Sequence, residues 1–348
     1  MVQNGVTVAE KPLREFTRDV FIKVGMPEKD ANTESKVLVW ANLRGVDSHG
    51  VLRIPWYVDN VNKGYMNPRP DIKIEKETAA TLLVEADHAF GPVATVFTMD
   101  RAIEKAKEAG MAWAILRNVT HQGAMAYYSL MAAEKGMAGI AIVCSPPNTA
   151  PYGAKVPGVH NSPIAISVPA GSHLPLTLDM ATSVVAGGKL SLARDKGQDI
   201  PVGWAIDGEG KPTVKPFVGA VLLPMAGAKG SGLAMMFECL SSVMVGNPLL
   251  LPVLSGKRPR SHHIQNSIVA AIDISTFTDL DTYKSTIDEL IEEEKGLPRA
   301  DGVKEIMVPG EPENRVYEER SKNGIPLPGG TVTNLREIAG KFGLTAPC

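Results

Sequence analysis

Val46-Asp47-Ser48-His49-Gly50-Val51-Leu52-Arg53-Ile54-Pro55-Trp56-Tyr57 divides this chain into two kinds of sequence. Before it the pattern is helical. Leu13, Phe16, Val20, Phe21 and Val24 fall at helical spacing over residues 8–24, closed by Gly25. Val37, Leu38, Trp40 and Ala41 belong to a second helix, Ala31 to Arg44, that Gly45 ends. The quoted stretch is predicted to continue as a third helix to about Asn62, and Lys63-Gly64, Pro68 and Pro70 then mark a linker. The first 65 or so residues are expected to be all-helical.

The same stretch gathers a carboxylate, a hydroxyl, an imidazole and a guanidinium within seven positions. Histidine titrates nearest neutral pH and suits proton transfer. On a helix, an arginine four residues on lies one turn along the same face, and its planar fork grips a carboxylate with two parallel hydrogen bonds. An acid–base group beside a carboxylate clamp is what chemistry on a small 2-oxo or 2-hydroxy acid needs. Taken alone, the residues read first as a helix start capped by Asp47 or Ser48, with His49 and Arg53 merely exposed.

Outward from residue 72 the pattern changes to alternating strands and helices. Ile72–Ile74, Thr81–Glu85, Ala112–Leu116, Gly139–Cys144, Ile164–Val168, Leu176–Leu178 and Ile268–Ile272 read as strands. Ala94–Ala109, Gly123–Lys135, Ala181–Arg194, Gly230–Val245 and Leu280–Lys295 read as helices, the fourth with Leu233, Met236, Phe237, Leu240 and Val243 on one face. Asp207-Gly208-Glu209-Gly210 is a turn, and helical segments near Glu313–Ser321 and Asn334–Phe342 end the chain. The class is α/β, or mixed α+β.

With 348 residues, 44% apolar and 21% charged, the chain can bury a sizeable core, and its net charge of −2 gives no reason to expect nucleic acid or a membrane surface as partner. Three scattered cysteines, Cys144, Cys239 and Cys348, favour neither a disulfide framework nor a cysteine zinc site, and fit a reducing cytoplasm. The charged residues among the first 20 exclude a signal-peptide core, and no run approaches the ~18 apolar residues of a membrane span. His262-His263 lies in a basic loop with Lys257, Arg258 and Arg260 but has no carboxylate at ligand spacing, so no metal site is expected. His88, His160 and His173 stand alone.

A dinucleotide site normally shows GxGxxG between a strand and a helix, and that fingerprint is absent. Gly227-Ala228-Lys229-Gly230-Ser231-Gly232 has other spacing but opens a helix, where backbone N–H groups beside Lys229 make a phosphate cradle or merely a flexible entry. Gly187-Gly188-Lys189 lacks the first glycine of a Walker loop. Leu178-Asp179-Met180-Ala181-Thr182-Ser183 closes a strand and starts a helix, as either an ordinary cap or a ribose, nicotinamide or phosphate contact. His121, in Asn118-Val119-Thr120-His121-Gln122-Gly123-Ala124, sits at a strand end, where catalytic residues collect.

Taken together, six motifs resemble one family in order and over nearly the whole chain. They are Asp47-Ser48-His49-Gly50-Val51-x-Arg53, Thr120-His121-x-Gly123-Ala124, Asn161-Ser162-Pro163-Ile164-Ala165, Asp179-Met180-Ala181-Thr182-Ser183, Lys229-Gly230-x-Gly232-Leu233-x-Met235-Met236 and Pro309-Gly310-Glu311. The family is the malate/L-lactate dehydrogenase type-2 family, whose relatives include sulfolactate, ureidoglycolate and diketogulonate oxidoreductases and reductases of cyclic imino acids. The resemblance implies a non-Rossmann cofactor domain with a mixed sheet over 71–310. It also implies a helical domain built from 1–70 and 311–348, and a homodimer.

It further implies an NAD- or NADP-dependent oxidoreductase interconverting a small 2-hydroxy acid and its 2-oxo acid. His49 and His121 compete for the acid–base role, with Ser48 as relay. Arg53 anchors the substrate carboxylate, with Tyr57 as a further substrate contact. Ser145, Asp179, Met180, Ala181, Thr182, Ser183, Lys229, Gly310 and Glu311 match cofactor-contacting positions. Rival activities are imine reduction, ureidoglycolate oxidation (which Trp204-Ala205-Ile206-Asp207 resembles) and binding without turnover; Arg194 or Lys196 is available to a 2′-phosphate. Three departures concern substrate choice. The usual GTNP threonine gives way to Asn161-Ser162-Pro163 after His160, Thr120 replaces a common serine, and Asn266-Ser267 stands for a late glycine–histidine pair.

Overall fold

The N-terminal apolar spacing does form helices, and the C-terminal segment completes their core. The computed structural model of the chain describes residues 5–195, 197–259 and 264–348. The first segment runs β1 (Val6–Val8), α1 (Glu10–Lys23), α2 (Glu28–Leu43) and α3 (Ile54–Asn62). Strands and helices then interleave as β2 (Lys73–Glu77), β3 (Thr81–Glu85), α4 (Gly91–Ala109), β4 (Met111–Val119), α5 (Ala126–Ala133), β5 (Met137–Cys144), β6 (Ile164–Val168) and β7 (Leu176–Met180). A third segment holds α6 (Gly187–Asp195), β8 (Ala205–Ile206), β9 (Pro212–Thr213), β10 (Val221–Leu222), α7 (Ala228–Glu238) and α8 (Leu251–Leu254). The chain closes with β11 (Gln265–Asp273), α9 (Leu280–Lys295), α10 (Glu311–Asn323), β12 (Ile325–Leu327) and α11 (Gly329–Phe342).

Leu13, Val20 and Phe21 of α1 are fully buried against Leu38, Ile54, Tyr57, Ile325 and Leu335, so both ends of the chain share one core. Each such side chain contributes about 1.5–3 kcal/mol. The expectation of an all-helical start missed β1, which pairs antiparallel with β12 (Val6 opposite Leu327, Val8 opposite Ile325).

The large sheet has the order β2-β3-β4-β11-β5-β6-β7 and is antiparallel at every junction except β3–β4. Alternation along the strands sorts its two faces. Ala112, Ala114 and Leu116 of β4, Ala141 and Val143 of β5, and Val269 and Ala271 of β11 join the core under α4 and α5. Ile115, Ile142, Cys144 and Ile268 point the other way, onto Phe237 and Leu249. The fold is a mixed α+β structure with a helical region from both termini and a separate mixed sheet domain.

Several sequence expectations need correction. The stretch over 47–53 is two short 3₁₀ turns, Asp47–His49 and Val51–Arg53, broken at Gly50, and the α-helix starts only at Ile54. The helix expected from Ala181 begins at Gly187, because tertiary pairing holds the preceding residues extended: Thr182 N–H bonds to Asn161, Val184 N–H to Leu223, and Ser183 bridges Pro224. The helix expected from Gly123 starts at Ala126. The helix expected over Gly230–Val245 changes to a π-helical turn at Cys239–Val243, and of its expected inner face Phe237 is buried while Met236, Leu240 and Val243 are 53%, 38% and 53% exposed. Lys196, Arg260 and His262-His263 lie outside the described residues.

Candidate active site

Two loops from different parts of the chain meet at a pair of histidines. One is the 47–53 turn region between α2 and α3; the other follows β4 and carries His121. Their imidazoles stack, with ring centroids 5.4 Å apart and planes 13° from parallel. Each ring is fixed through Nδ1 by a hydroxyl. Ser48 Oγ lies 2.9 Å from His49 Nδ1, and Tyr57 Oη lies 2.6 Å from His121 Nδ1. Tyr57 is itself immobilised in the helical core, in ring contact with Phe21 and Phe90. Trp56 meets His121 edge-on at 5.6 Å.

Arg53 stands beside both rings. Its Nε donates to the Ser48 carbonyl at 2.7 Å and its guanidinium lies over Trp56 at 5.7 Å. No hydrogen bond among the described residues uses its terminal nitrogens, so the two-pronged end of the fork remains for a ligand. The route to this arrangement differs from the expected helix face. Arg53 folds back onto Ser48 across a turn, where helical spacing would have set it one turn along.

Close approach makes both loops possible. A Cβ on Gly50 would come within 2.1 Å of Asn42 Oδ1, and a Cβ on Gly91, at the start of α4, within 2.2 Å of the His121 carbonyl. Gln122 is pinned by Tyr128, which donates to its carbonyl, and by Thr95 and Gln265.

The electrostatics favour neutral imidazoles. Burial and the nearby Arg53 charge bring His49 down to about 4 from its usual 6.5. Burial holds His121 well below the ordinary range, helped by Arg53, His49 and His160. Both residues are nonetheless only half-buried, leaving ring surface open to a ligand.

The other expected residues fall into three groups. Asp179, Met180, Ala181, Thr182 and Ser183 follow from the end of β7, and Asp179 Oδ2 accepts from Ala126 N–H at 2.9 Å, which joins them to the His121 loop through the start of α5. Asp179 keeps contact with solvent, but the protein packed around it pushes its carboxyl up to about 6. The Ser183 hydroxyl is taken by the Val185 carbonyl and Thr182 is buried. Lys229 is exposed at the start of α7, its ammonium without an ion pair among the described residues, while Ser145 is buried just beyond β5. Gly310 packs on Thr177 of β7, and Glu311 is committed to Lys295, to Arg315 and to Val308 N–H. These contacts fasten the start of α10.

Residues 8–336 match the family described as malate/L-lactate dehydrogenase. The chain belongs to this family. It is 38% identical to malate dehydrogenase of Pyrococcus horikoshii over 98% of this chain and 97% of that protein. Identity to L-sulfolactate dehydrogenase of Methanocaldococcus jannaschii is also 38%, over 94% of each. The solved structure of malate dehydrogenase from Pyrococcus horikoshii OT3 is similar with a TM-score of 0.90 at 34% identity, covering 99% of this chain and 98% of that one. Membership in the malate/L-lactate dehydrogenase family makes this an NAD(P)-dependent oxidoreductase of the 2-hydroxy/2-oxo acid class.

The residues that could hold a dinucleotide lie along the Asp179–Ser183 segment, against which the start of α7 packs: a Cβ on Gly230 would come within 2.5 Å of the Thr182 carbonyl. The uncommitted Lys229 ammonium supplies positive charge at a glycine-rich helix start. The beginning of α6 approaches the histidine turn closely enough that a Cβ on Gly188 would lie 3.0 Å from that of Ser48. Sequence reading passed over three residues here. His160 is buried and near enough to His121 to influence its charge, although it stood alone in sequence. Asn42 and Arg320 hold the 47–51 backbone and side chains, and no local pattern announces either.

Proposed function

We propose that the enzyme interconverts a small 2-hydroxy acid and its 2-oxo acid, with the His49–His121 pair as the acid–base centre and Arg53 as carboxylate anchor. The observation that carries this reading is that each stacked imidazole has a hydroxyl on Nδ1 beside a guanidinium whose terminal nitrogens are uncommitted. A hydroxyl both donates and accepts, so either neutral tautomer of the ring stays satisfied at Nδ1. Nε2 of one ring can then take the substrate hydroxyl proton in oxidation or return it in reduction. Arg53 binds the carboxylate in a bidentate manner and orients the adjacent carbon, while Trp56 walls the site and the buried Tyr57, expected as a substrate contact, acts on it through His121. Bound NAD, or NADP, supplies the hydride-accepting ring. Asp179, Met180, Ala181, Thr182 and Lys229 are the proposed cofactor contacts, with Ser145 and Ser183 behind them.

Malate and sulfolactate, named for two relatives, each carry a second acidic group, and we place them first among candidate substrates. A cytoplasmic homodimer is the proposed assembly. Met235, Met236, Leu240, Val243 and Met244 form an exposed apolar run that a second copy would cover; sedimentation of the purified protein tests it. The activity is tested by incubating the protein with malate, sulfolactate, lactate, ureidoglycolate and a cyclic imine, each with both cofactors, and following nicotinamide absorbance. Turnover of a hydroxy acid is expected. Turnover of the imine alone, or of none, overturns the reading.

A further inference from the structure

Asp47 leads the histidine turn, yet it does not cap it: no side-chain cap bond closes the Asp47–His49 turn. Its carboxylate faces the C-terminal part of the chain instead. Arg320, on α10, sets Nη1 2.7 Å from Asp47 Oδ1 and Nη2 3.1 Å from Oδ2, a two-pronged contact across 273 residues of sequence. The same guanidinium donates to the Asn42 carbonyl at the end of α2. Asn42 closes the frame. Its Nδ2 donates to Asp47 Oδ1 at 2.7 Å, and its Oδ1 accepts from Val51 N–H at 2.8 Å, on the far side of His49.

His49 and Gly50 are therefore clamped between two points: Asp47, bonded to both Asn42 and Arg320, and Val51, bonded to Asn42. Asn42 is 2% exposed and the Arg320 side chain 13%, while the Asp47 side chain is 37% exposed, so the frame is anchored on its Asn42 and Arg320 sides and open to water at the carboxylate. A planar fork on a carboxylate fixes angle as well as distance, which a point charge cannot.

We propose that Arg320 is a positioning residue: through Asp47 and Asn42 it sets the angle at which His49 meets His121. The inference rests on the proposed role of that histidine pair. It predicts a loss in turnover larger than any loss in substrate affinity, since displacing a reacting group by about 1 Å can cost ~100-fold in rate.

The test uses the full chain with Arg320→Gln, Arg320→Lys, Asp47→Asn and the Arg320→Gln/Asp47→Asn double variant. Two readouts are taken: kcat and KM, and the proton resonance of the His49 ring without substrate, assigned with His49→Gln and compared with His173 as a remote control. Both neutralising variants should lower kcat about 10- to 100-fold with KM changed less. The double variant should be no worse than the poorer single, because one link is broken twice. Lysine should recover only a minor part. Folded Arg320→Gln with unchanged kcat, or losses that multiply in the double variant, overturns the proposal. If Arg320→Gln does not fold, the isosteric Asp47→Asn decides in the same way. If the wild type turns over no substrate, the functional reading fails and the resonance alone judges the clamp. A His49 shift without a His173 shift upholds it, and an unmoved His49 overturns it.

Discussion

The imidazoles of His49 and His121 lie face to face, 5.4 Å between centroids, with burial and then Arg53 depressing the proton affinity of both. Two cations at that spacing beside a third are strongly disfavoured, so the pair holds at most one added proton and titrates as a unit. At neutral pH it is empty and ready to accept one. The acid limb of kcat/KM for hydroxy acid oxidation is expected well below 6.5, nearer the His49 value of about 4. A limb at 6.5 in a pH–rate profile contradicts the electrostatics described. Replacing either histidine by alanine should cost about 10²–10⁴ in kcat. Near-normal turnover in both variants sinks the mechanism.

The same depression affects stability. Between about 4 and 6.5 the unfolded chain carries the His49 proton and the folded chain does not, so stability rises with pH across that window and is lost as pH falls through it. Urea unfolding of His49→Gln from pH 4 to 7 should show a shallower pH dependence than the wild type. Parallel curves would mean that the ring is accessible to protons in the folded state.

Tyr57→Phe isolates the bond to His121, because the ring contacts with Phe21 and Phe90 survive the change. A net stability loss of about 0.5–1.5 kcal/mol is expected. The kcat should fall roughly tenfold, with KM little altered, as His121 loses its fixed orientation. Steady-state kinetics and a denaturant titration give both numbers, and an unchanged kcat would remove Tyr57 from the site.

Gly50→Ala places a methyl group 2.1 Å from Asn42 Oδ1. Asn42 is bonded to Asp47 and Val51, so it has no free rotamer into which to retreat. The substitution should destabilise by about 1–3 kcal/mol and depress turnover as well. A melting temperature equal to that of the wild type would show that the frame yields.

Glu34 tests the opposite sign of linkage. It is fully buried in α2, neither carboxyl oxygen has a hydrogen-bond partner among the described residues, and burial raises its pKa well above 4.5. Above pH 4.5 the unfolded chain releases the proton while the folded chain keeps it, so Glu34 costs stability progressively as pH rises toward its folded value. Glu34→Gln removes that term. Its melting temperature, relative to the wild type, should climb between pH 5 and 8; a constant difference would show Glu34 ionised in the native protein.

What the sequence disclosed follows the range of the interactions involved. The apolar spacing of α1, the turn at Asp207–Gly210 and the extent of α9, whose start Asp279 caps by accepting from Thr282 N–H, are local features and were legible. The pairing of β1 with β12 was not, since three-residue strands joined across the length of the chain leave no periodicity to read. Likewise Thr182 and Ser183 carry good helix-start chemistry, but partners at Asn161, Leu223 and Pro224 claim that segment for extended pairing. At the site, the residue types over 47–57 pointed to acid–base chemistry beside an anion clamp. Which histidines meet, and what holds them, depended on β4 and α10, far away in sequence.

The contact between Arg320 and Asp47, together with the β1–β12 pair, bears on how the protein is made. A ribosome that has released everything up to residue 310 has delivered both histidines, the arginine fork and the whole large sheet. The histidine turn at that moment still lacks its clamp, and the first strand has no neighbour. The clamp on the histidine turn is thus made later than the residues that it positions, and a polypeptide interrupted at residue 310 is expected to turn over more slowly than the whole chain.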